Sequence, residues 1–143
     1  AAEAAAHLVA RDLRDLGINT NCTPVLDLPV PGAHAIIGDR AFGTSVEQIV
    51  RLGRAVAKGF IGGGVLPVIK HIPGHGRATK DSHLDLPVVE TPRAELSASD
   101  FAPFKQLADV PAAMSAHVVF SDIDPAAPAS TSAKVTSEII RGE

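Results

Sequence analysis

The chain has 143 residues, of which 45% are hydrophobic and 20% are charged, and this is the length and composition of one ordinary globular domain. Its net charge is −3 and Lys and Arg form no cluster, so the sequence offers no basic surface for nucleic acid. No apolar run approaches the roughly 20 residues that span a bilayer. The single cysteine excludes an internal disulfide. We therefore expect neither nucleic acid nor a membrane as a partner.

Four segments carry apolar residues at helical spacing and have residues typical of helix ends beside them. The first ends at Gly17, Thr44 or Ser45 can cap the second, Pro92 precedes the third, and Ser132 or Thr136 can start the fourth. The predicted helices are residues 1–16, 46–60, 93–108 and a last one from about 132 to the chain end.

Three short β-prone runs lie between these helices, at residues 18–27, 65–69 and 112–119. The first run ends at Asp27 and contains Cys22, which we expect to be buried as a small apolar side chain. Lys70 and His71 follow the second run. Strands that alternate with helices favour parallel pairing, so the fold class is α/β. A (β/α)₈ barrel typically needs about 250 residues, so we expect a part of such a barrel, about three consecutive β/α units.

The loop after the second predicted strand holds the densest chemistry, since three of the six histidines lie in residues 71–83. In parallel α/β folds, the loops that leave the carboxyl ends of strands build the active site. Asp81 and His83 are the sharpest pair within it. A carboxylate two residues from an imidazole can fix its tautomer and raise its basicity, which makes an acid/base dyad. The alternative is that both are solvated loop residues.

Metal binding is a weaker interpretation of the same histidines. His71, His75 and His83 do not have the spacing of zinc motifs, and Lys70 and Arg77 beside them would repel a cation. The Gly-His-Gly triplet around His75 also matches no phosphate-binding loop. We therefore expect no metal and no cofactor.

Several further side chains are candidates for contact with a polar ligand. Lys70 could donate hydrogen bonds to hydroxyl or carbonyl oxygens, or it could be a plain surface charge. Arg40 has the same two interpretations, with an ion pair to Asp39 or Asp27 as the alternative. The residue pattern alone favours a core or supporting position for Met114 and His117 on the third strand.

One run of residues resembles a known family signature. Lys70-His71-Ile72-Pro73-Gly74-His75-Gly76, followed by Asp81-Ser82-His83 and Leu86-Pro87, is similar to the K-H-F-P-G-H-G…D-S-H…P signature of bacterial β-N-acetylglucosaminidases of glycoside hydrolase family 3. Ile72 stands where the family usually has Phe. The flanking matches arrive in family order and cover nearly the whole chain: residues 23–27, 37–42, 114–118 and 128–129.

The resemblance implies that residues 1–143 are a partial catalytic domain, a piece of a (β/α)₈ barrel. It implies an enzyme that removes terminal, non-reducing β-linked N-acetylglucosamine, chiefly from cell-wall muropeptides in the cytoplasm. The anomeric configuration is retained through a covalent glycosyl-enzyme intermediate. On the matching positions, His83 is the acid/base, Asp81 orients it, and the sugar is bound by Arg40, Lys70 and His71, with Met114 as an added substrate-binding candidate.

The family's nucleophile is an aspartate in an S-D-D-L-like motif that follows the last helix, so we expect it beyond residue 143. Ser121-Asp122-Ile123-Asp124 looks similar, but it directly follows the third strand, where the family has a variable loop. We therefore expect neither Asp122 nor Asp124 to be the nucleophile, and the isolated fragment to be inactive. Two alternatives stay open: an N-acetylglucosaminide phosphorylase of the same fold, and a non-catalytic sugar-binding module.

Overall fold

The computed structural model describes residues 1–33, 37–79 and 85–143, and the statements below refer to those ranges. Helices alternate with short strands along the chain. The helices are α1 (Ala2–Asp15), α2 (Val46–Gly62), α3 (Arg93–Ala98), α4 (Ala102–Gln106) and α5 (Ala133–Val135), with a 3₁₀ turn at Gly38–Arg40 and a π-helical turn at Thr136–Ile140. The strands are β1 (Thr20–Asn21), β2 (Leu66–Pro67), β3 (Ile69–Ile72), β4 (Val88–Val89), β5 (Ala113–Ser115) and β6 (Val119–Phe120).

The C-terminal end of α1 and the N-terminal end of α2 lie where the sequence signals predict. Gly17 takes a left-handed φ of 80°, and the amide of Ile18 donates to the carbonyl of Leu13 at 2.9 Å, which closes the end of α1. Ser45 caps α2 by accepting a hydrogen bond from the amide of Gln48. The two helices pack closely because Gly59 has no side chain: an added Cβ there would overlap the carbonyl oxygen of Glu3.

The strands pair in parallel, as the order of elements predicts. β1 pairs with β2, β3 with β5, and β4 with β6, and an isolated parallel bridge joins Val25 to Lys70. Parallel strands that are joined through helices confirm the α/β class. The bridge at Val25 also places the chain just before Asp27 alongside β3, and this is the contact that builds the site described below.

Three expectations from the sequence differ from the structure. The predicted helix at 93–108 is two short helices, because the backbone leaves the helical path at Ser99, with φ −122° and ψ −76°, and the chain then carries Pro103. β4 was not predicted, since a two-residue strand leaves no periodic pattern. Cys22 is exposed and not buried, because the chain around it is in regular β pairing only as far as Asn21.

The buried apolar side chains form three clusters. One lies between α1 and α2, and another packs α3, β6 and the C-terminal turns together. The third joins the 24–28 segment to β3 and consists of Leu26, Leu28, Ile49, Ile69, Phe104 and Leu107. Because this cluster holds both the 24–28 segment and β3, the polar groups that follow them are carried on a rigid base. In the ranges that the structure covers, none of the helices has the length and apolar character to cross a membrane.

Candidate active site

The candidate site lies at the carboxyl end of β3, where two chain segments run side by side. The amide of Leu26 donates to the carbonyl of Lys70 at 2.7 Å, and the amide of Lys70 donates to the carbonyl of Pro24 at 3.1 Å. This ladder brings the residue after Leu26 next to the residue after Lys70. The peptide bond between Lys70 and His71 is cis.

Asp27 is the group around which the site is assembled. Its side chain has no solvent exposure, and its two oxygens bind different partners. Oδ2 lies 2.7 Å from Nδ1 of His71, while Oδ1 accepts the amide of His75 at 2.8 Å and that of His71 at 3.3 Å. A buried carboxyl group costs free energy unless such donors surround it. Through these bonds Asp27 holds His71 of β3 and His75 of the following loop next to the 24–28 segment.

His75 lies inward of His71 in the same cluster. It is 5% exposed, and its ring centroid lies 5.6 Å from that of His71 at an interplanar angle of 58°. Burial lowers the pKa of His75 below its usual value; Asp27 opposes this shift, and the charges of His71 and Arg40 add to it. The lowered pKa favours a neutral imidazole at position 75.

The predicted sugar-binding residues fall on neighbouring pieces of this edge. Lys70 and Met114 are direct partners in the register of β3 with β5, and Lys70 is half-buried while Met114 is exposed. Arg40 lies in the 3₁₀ turn, where its Nε donates to the carbonyl of Ile37 at 3.3 Å, and its charge acts on His75. Asp81 and His83 lie outside the described residues.

The loop that leaves β3 is seated by close backbone contact as well as by Asp27. An added Cβ at Gly76 would overlap the carbonyl of Leu28, so this position requires glycine. The next residue, Arg77, binds the buried carboxylate of Asp100, with 2.7 Å between Nε and Oδ2. The root of the loop is therefore fixed on both sides.

Sequence reasoning placed Lys70 and His71 at this edge but gave no role to Asp27 beyond a possible ion pair with Arg40. The signal was a carboxylate directly after the apolar pair Val25 and Leu26, a position where burial is expected and a partner is needed. Its partners lie 44 and 48 residues further along the chain, so spacing could not identify them.

Two other features of the described residues bear on ligand binding. The described residues contain no group of three or more His, Cys, Asp or Glu side chains that could hold a metal ion. A cavity of about 540 Å³ lies between β3, β5, α4 and residues 139–143, and no histidine lines it among the described residues. Its walls are largely apolar, with Phe104, Val110 and Ile139 among them, which is unsuited to a hydroxyl-rich ligand.

Comparison with known protein families gives a match over the whole chain. The sequence profile of the glycosyl hydrolase family 3 N-terminal domain matches residues 1–143. A β-hexosaminidase of Alkalilimnicola ehrlichii is 41% identical over 138 residues, which is 95% of this chain and 39% of that protein. A β-hexosaminidase of Bordetella parapertussis is 40% identical over 139 residues, again 39% of the relative. The chain thus spans about two fifths of the length of these curated relatives.

Solved structures of similar proteins agree in backbone. A glycoside hydrolase family 3 β-N-acetylglucosaminidase from Paenibacillus sp. superposes with a TM-score of 0.92 at 41% identity, covering 99% of this chain and 27% of the other. NagZ from Neisseria gonorrhoeae, in complex with N-trifluoroacetyl-D-glucosamine, gives a TM-score of 0.83 at 41% identity, with 90% of this chain and 38% of the other covered.

Proposed function

This chain belongs to glycosyl hydrolase family 3, and we propose that it forms part of the active site of a retaining exo-β-N-acetylglucosaminidase. The observation that carries the proposal is the hydrogen bond between His71 and the buried Asp27, beside Lys70 at the carboxyl end of a parallel strand. Active sites of barrels are built at that end of the strands. We therefore assign residues 1–143 to a (β/α)₈ barrel, of which they supply about three β/α units.

The proposed substrate is a small saccharide or muropeptide with a terminal, non-reducing N-acetylglucosamine. A relative of known structure binds N-trifluoroacetyl-D-glucosamine, which has the same ring hydroxyls. Lys70 donates to these hydroxyls, His71 can donate or accept through Nε2, and Arg40 adds a further donor. Met114 flanks Lys70 on β5 and offers an apolar contact. We place the reaction in the cytoplasm, on products of cell-wall recycling.

The proposed reaction is a double displacement. An aspartate that follows residue 143 in the parent protein attacks the anomeric carbon, while His83 donates a proton to the departing glycosidic oxygen. His83 then takes a proton from the water that attacks the glycosyl-enzyme, and N-acetylglucosamine leaves with its configuration retained. Asp81 holds the imidazole of His83 in the productive tautomer throughout. The roles of Asp81 and His83 are supported by the D-S-H motif at positions 81–83.

The test uses the full-length protein that carries this sequence and measures release of 4-nitrophenol from its β-N-acetylglucosaminide. The His83→Ala variant should lose about 10²- to 10⁴-fold in rate, the range that general acid–base groups supply. The 4-nitrophenolate group leaves without a proton, so hydrolysis of the glycosyl-enzyme limits this variant. Azide attacks without general base assistance and should restore part of the rate.

The matched control is His7→Ala, which removes an exposed histidine from α1 and should leave the rate unchanged. A wild-type protein that binds N-acetylglucosamine without turnover would favour a sugar-binding module instead. Formation of a sugar 1-phosphate when phosphate is added would identify a phosphorylase. An unimpaired His83→Ala variant would overturn the assignment of the acid/base.

A further inference from the structure

We propose that Asp27 is a positioning residue for substrate binding, which keeps Nδ1 of His71 protonated so that Nε2 is the ring atom that meets the sugar. The inference rests on the proposed function for its ligand, and its structural basis is the set of hydrogen bonds that Asp27 makes with His71 and His75. Asp27 cannot touch a substrate, because its side chain is wholly buried, whereas the side chain of His71 is 19% exposed. Any effect of Asp27 on binding must therefore pass through His71 or the backbone.

The two oxygens of Asp27 have different roles: one binds backbone amides, and the other binds the imidazole of His71. Oδ1 accepts the amides of His71 and His75, and these bonds hold the backbone. Oδ2 lies 2.7 Å from Nδ1 of the His71 imidazole. A carboxylate only accepts hydrogen bonds, so the proton of this bond belongs to Nδ1. A neutral His71 is then left with Nε2 as an acceptor for a ligand hydroxyl.

The same short segment also seats the loop that leads in sequence to Asp81 and His83. Asp27 binds the amide of His75, and the carbonyl of the following Leu28 is packed against Gly76. Asp27 therefore fixes the position of the sugar-binding His71 relative to the start of this loop. This explains why a wholly buried carboxyl group stands between the apolar residues Leu26 and Leu28 in the chain.

The substitution that separates the two tasks is Asp27→Asn in the full-length protein. The amide oxygen can replace Oδ1 and keep both backbone bonds. The amide nitrogen then replaces Oδ2, and because it is a donor, it requires a bare Nδ1 and moves the proton of His71 to Nε2. We expect KM for 4-nitrophenyl β-N-acetylglucosaminide to rise about 10- to 100-fold, with a smaller change in kcat, since the altered contact serves bound substrate and transition state alike.

The spectroscopic readout is the pair of imidazole ¹⁵N shifts of His71, at a pH where the ring is neutral. The wild-type protein should show a protonated Nδ1 and a bare Nε2, and added N-acetylglucosamine should shift the Nε2 signal. In Asp27→Asn the two assignments should exchange. The matched control is Asp100→Asn, which removes another buried carboxylate, one that pairs with Arg77 in the same loop, and it should leave the tautomer unchanged.

A bare Nδ1 in the wild-type protein would overturn the inference, and it can be read even where Asp27→Asn fails to fold. An Asp27→Asn variant that keeps both the Nδ1 proton and the wild-type KM would overturn it as well. Failure of the proposed function looks different, since a wild-type protein without glycosidase activity or response to N-acetylglucosamine would still report the tautomer of His71.

Discussion

Arg77 and Asp100 form a partly buried ion pair at the point where the long helix expected from the sequence is broken. Nε of Arg77 lies 2.7 Å from Oδ2 of Asp100, whose side chain is 2% exposed. The hydroxyl of Ser99 donates to the same oxygen at 2.7 Å. The break between α3 and α4 thus presents a buried carboxylate to the loop that leaves β3, and the local helix geometry and the position of that loop depend on each other.

Arg77→Met should lower the free energy of unfolding by about 3 kcal/mol, because it removes the cationic partner of the buried Asp100 carboxylate. Urea titrations of the full-length protein measure the change. Arg54→Met is the matched control, since Arg54 pairs with Asp109 at the surface, with side-chain exposures of 37% and 67%. Removing that exposed pair should cost about 0–1 kcal/mol. Equal losses in the two variants would contradict a buried role for Arg77.

Gly76→Ala should destabilise the protein and lower its activity together. The added methyl group would overlap the carbonyl of Leu28, which is backbone and cannot rotate away. Relief requires the 24–28 segment and the loop to separate, at a cost of about 2–3 kcal/mol. Because Asp27 lies in that segment, the distance between Asp27 and His75 should change as well. Thermal unfolding and the kcat/KM of the full-length protein check the two effects.

The control for this substitution is Gly62→Ala near the end of α2. A Cβ there would meet only the ring of His7, with Nδ1 at 3.3 Å, and that side chain can move. Alanine is also the better helix former, so the stability should stay the same or rise by up to about 1 kcal/mol. A Gly76→Ala variant as stable as Gly62→Ala would show that the loop is not packed against Leu28.

Local sequence signals predicted α1 and α2 well, since an amphipathic pattern and the residues at their ends act over a few positions. The same kind of apolar spacing wrongly predicted one continuous helix over residues 93–108. Leu96 in α3, Phe104 in α4, and Phe101 and Leu107 at the two ends of α4 are all buried, so the pattern does not reveal the break. Pro103 was the available signal, because a proline removes a helix hydrogen bond unless it lies in the first turn.

The candidate site, too, could be predicted only in part from the sequence. The rule that loops after parallel strands carry function drew attention to Lys70 and His71, which were expected just after a strand at 65–69 and lie within β3 in the structure. Which residue would meet His71 depended on the pairing of Val25 with Lys70, a contact across 45 positions that periodicity does not encode. Asp27 could therefore be recognised as a residue in need of a partner, but its partners could not be named from the sequence.

Acidification should destabilise the protein in part through His75. Its pKa in the folded protein is lowered from 6.5, chiefly by burial, whereas the unfolded chain takes up a proton at the ordinary value. Above pH 6.5 both states are neutral at this residue and the full stability is present. Below it the unfolded state binds more protons, so stability falls as the pH decreases, by up to about 1.4 kcal/mol per pH unit for one proton.

The measurement is the free energy of unfolding of wild type and His75→Gln at pH 7.5, 6.5 and 5.5. Glutamine does not titrate, so the difference between the two proteins should be near its plateau at pH 7.5, begin to change at pH 6.5, and shift in favour of the variant by about 1 kcal/mol at pH 5.5. The charged and titratable groups that act on the His75 ring are present in both proteins. Asp27 favours protonation of His75, whereas His71 and Arg40 oppose it. Parallel pH profiles, or an NMR titration midpoint of His75 at or above 6.5, would show that the buried imidazole is not the source of the acid sensitivity.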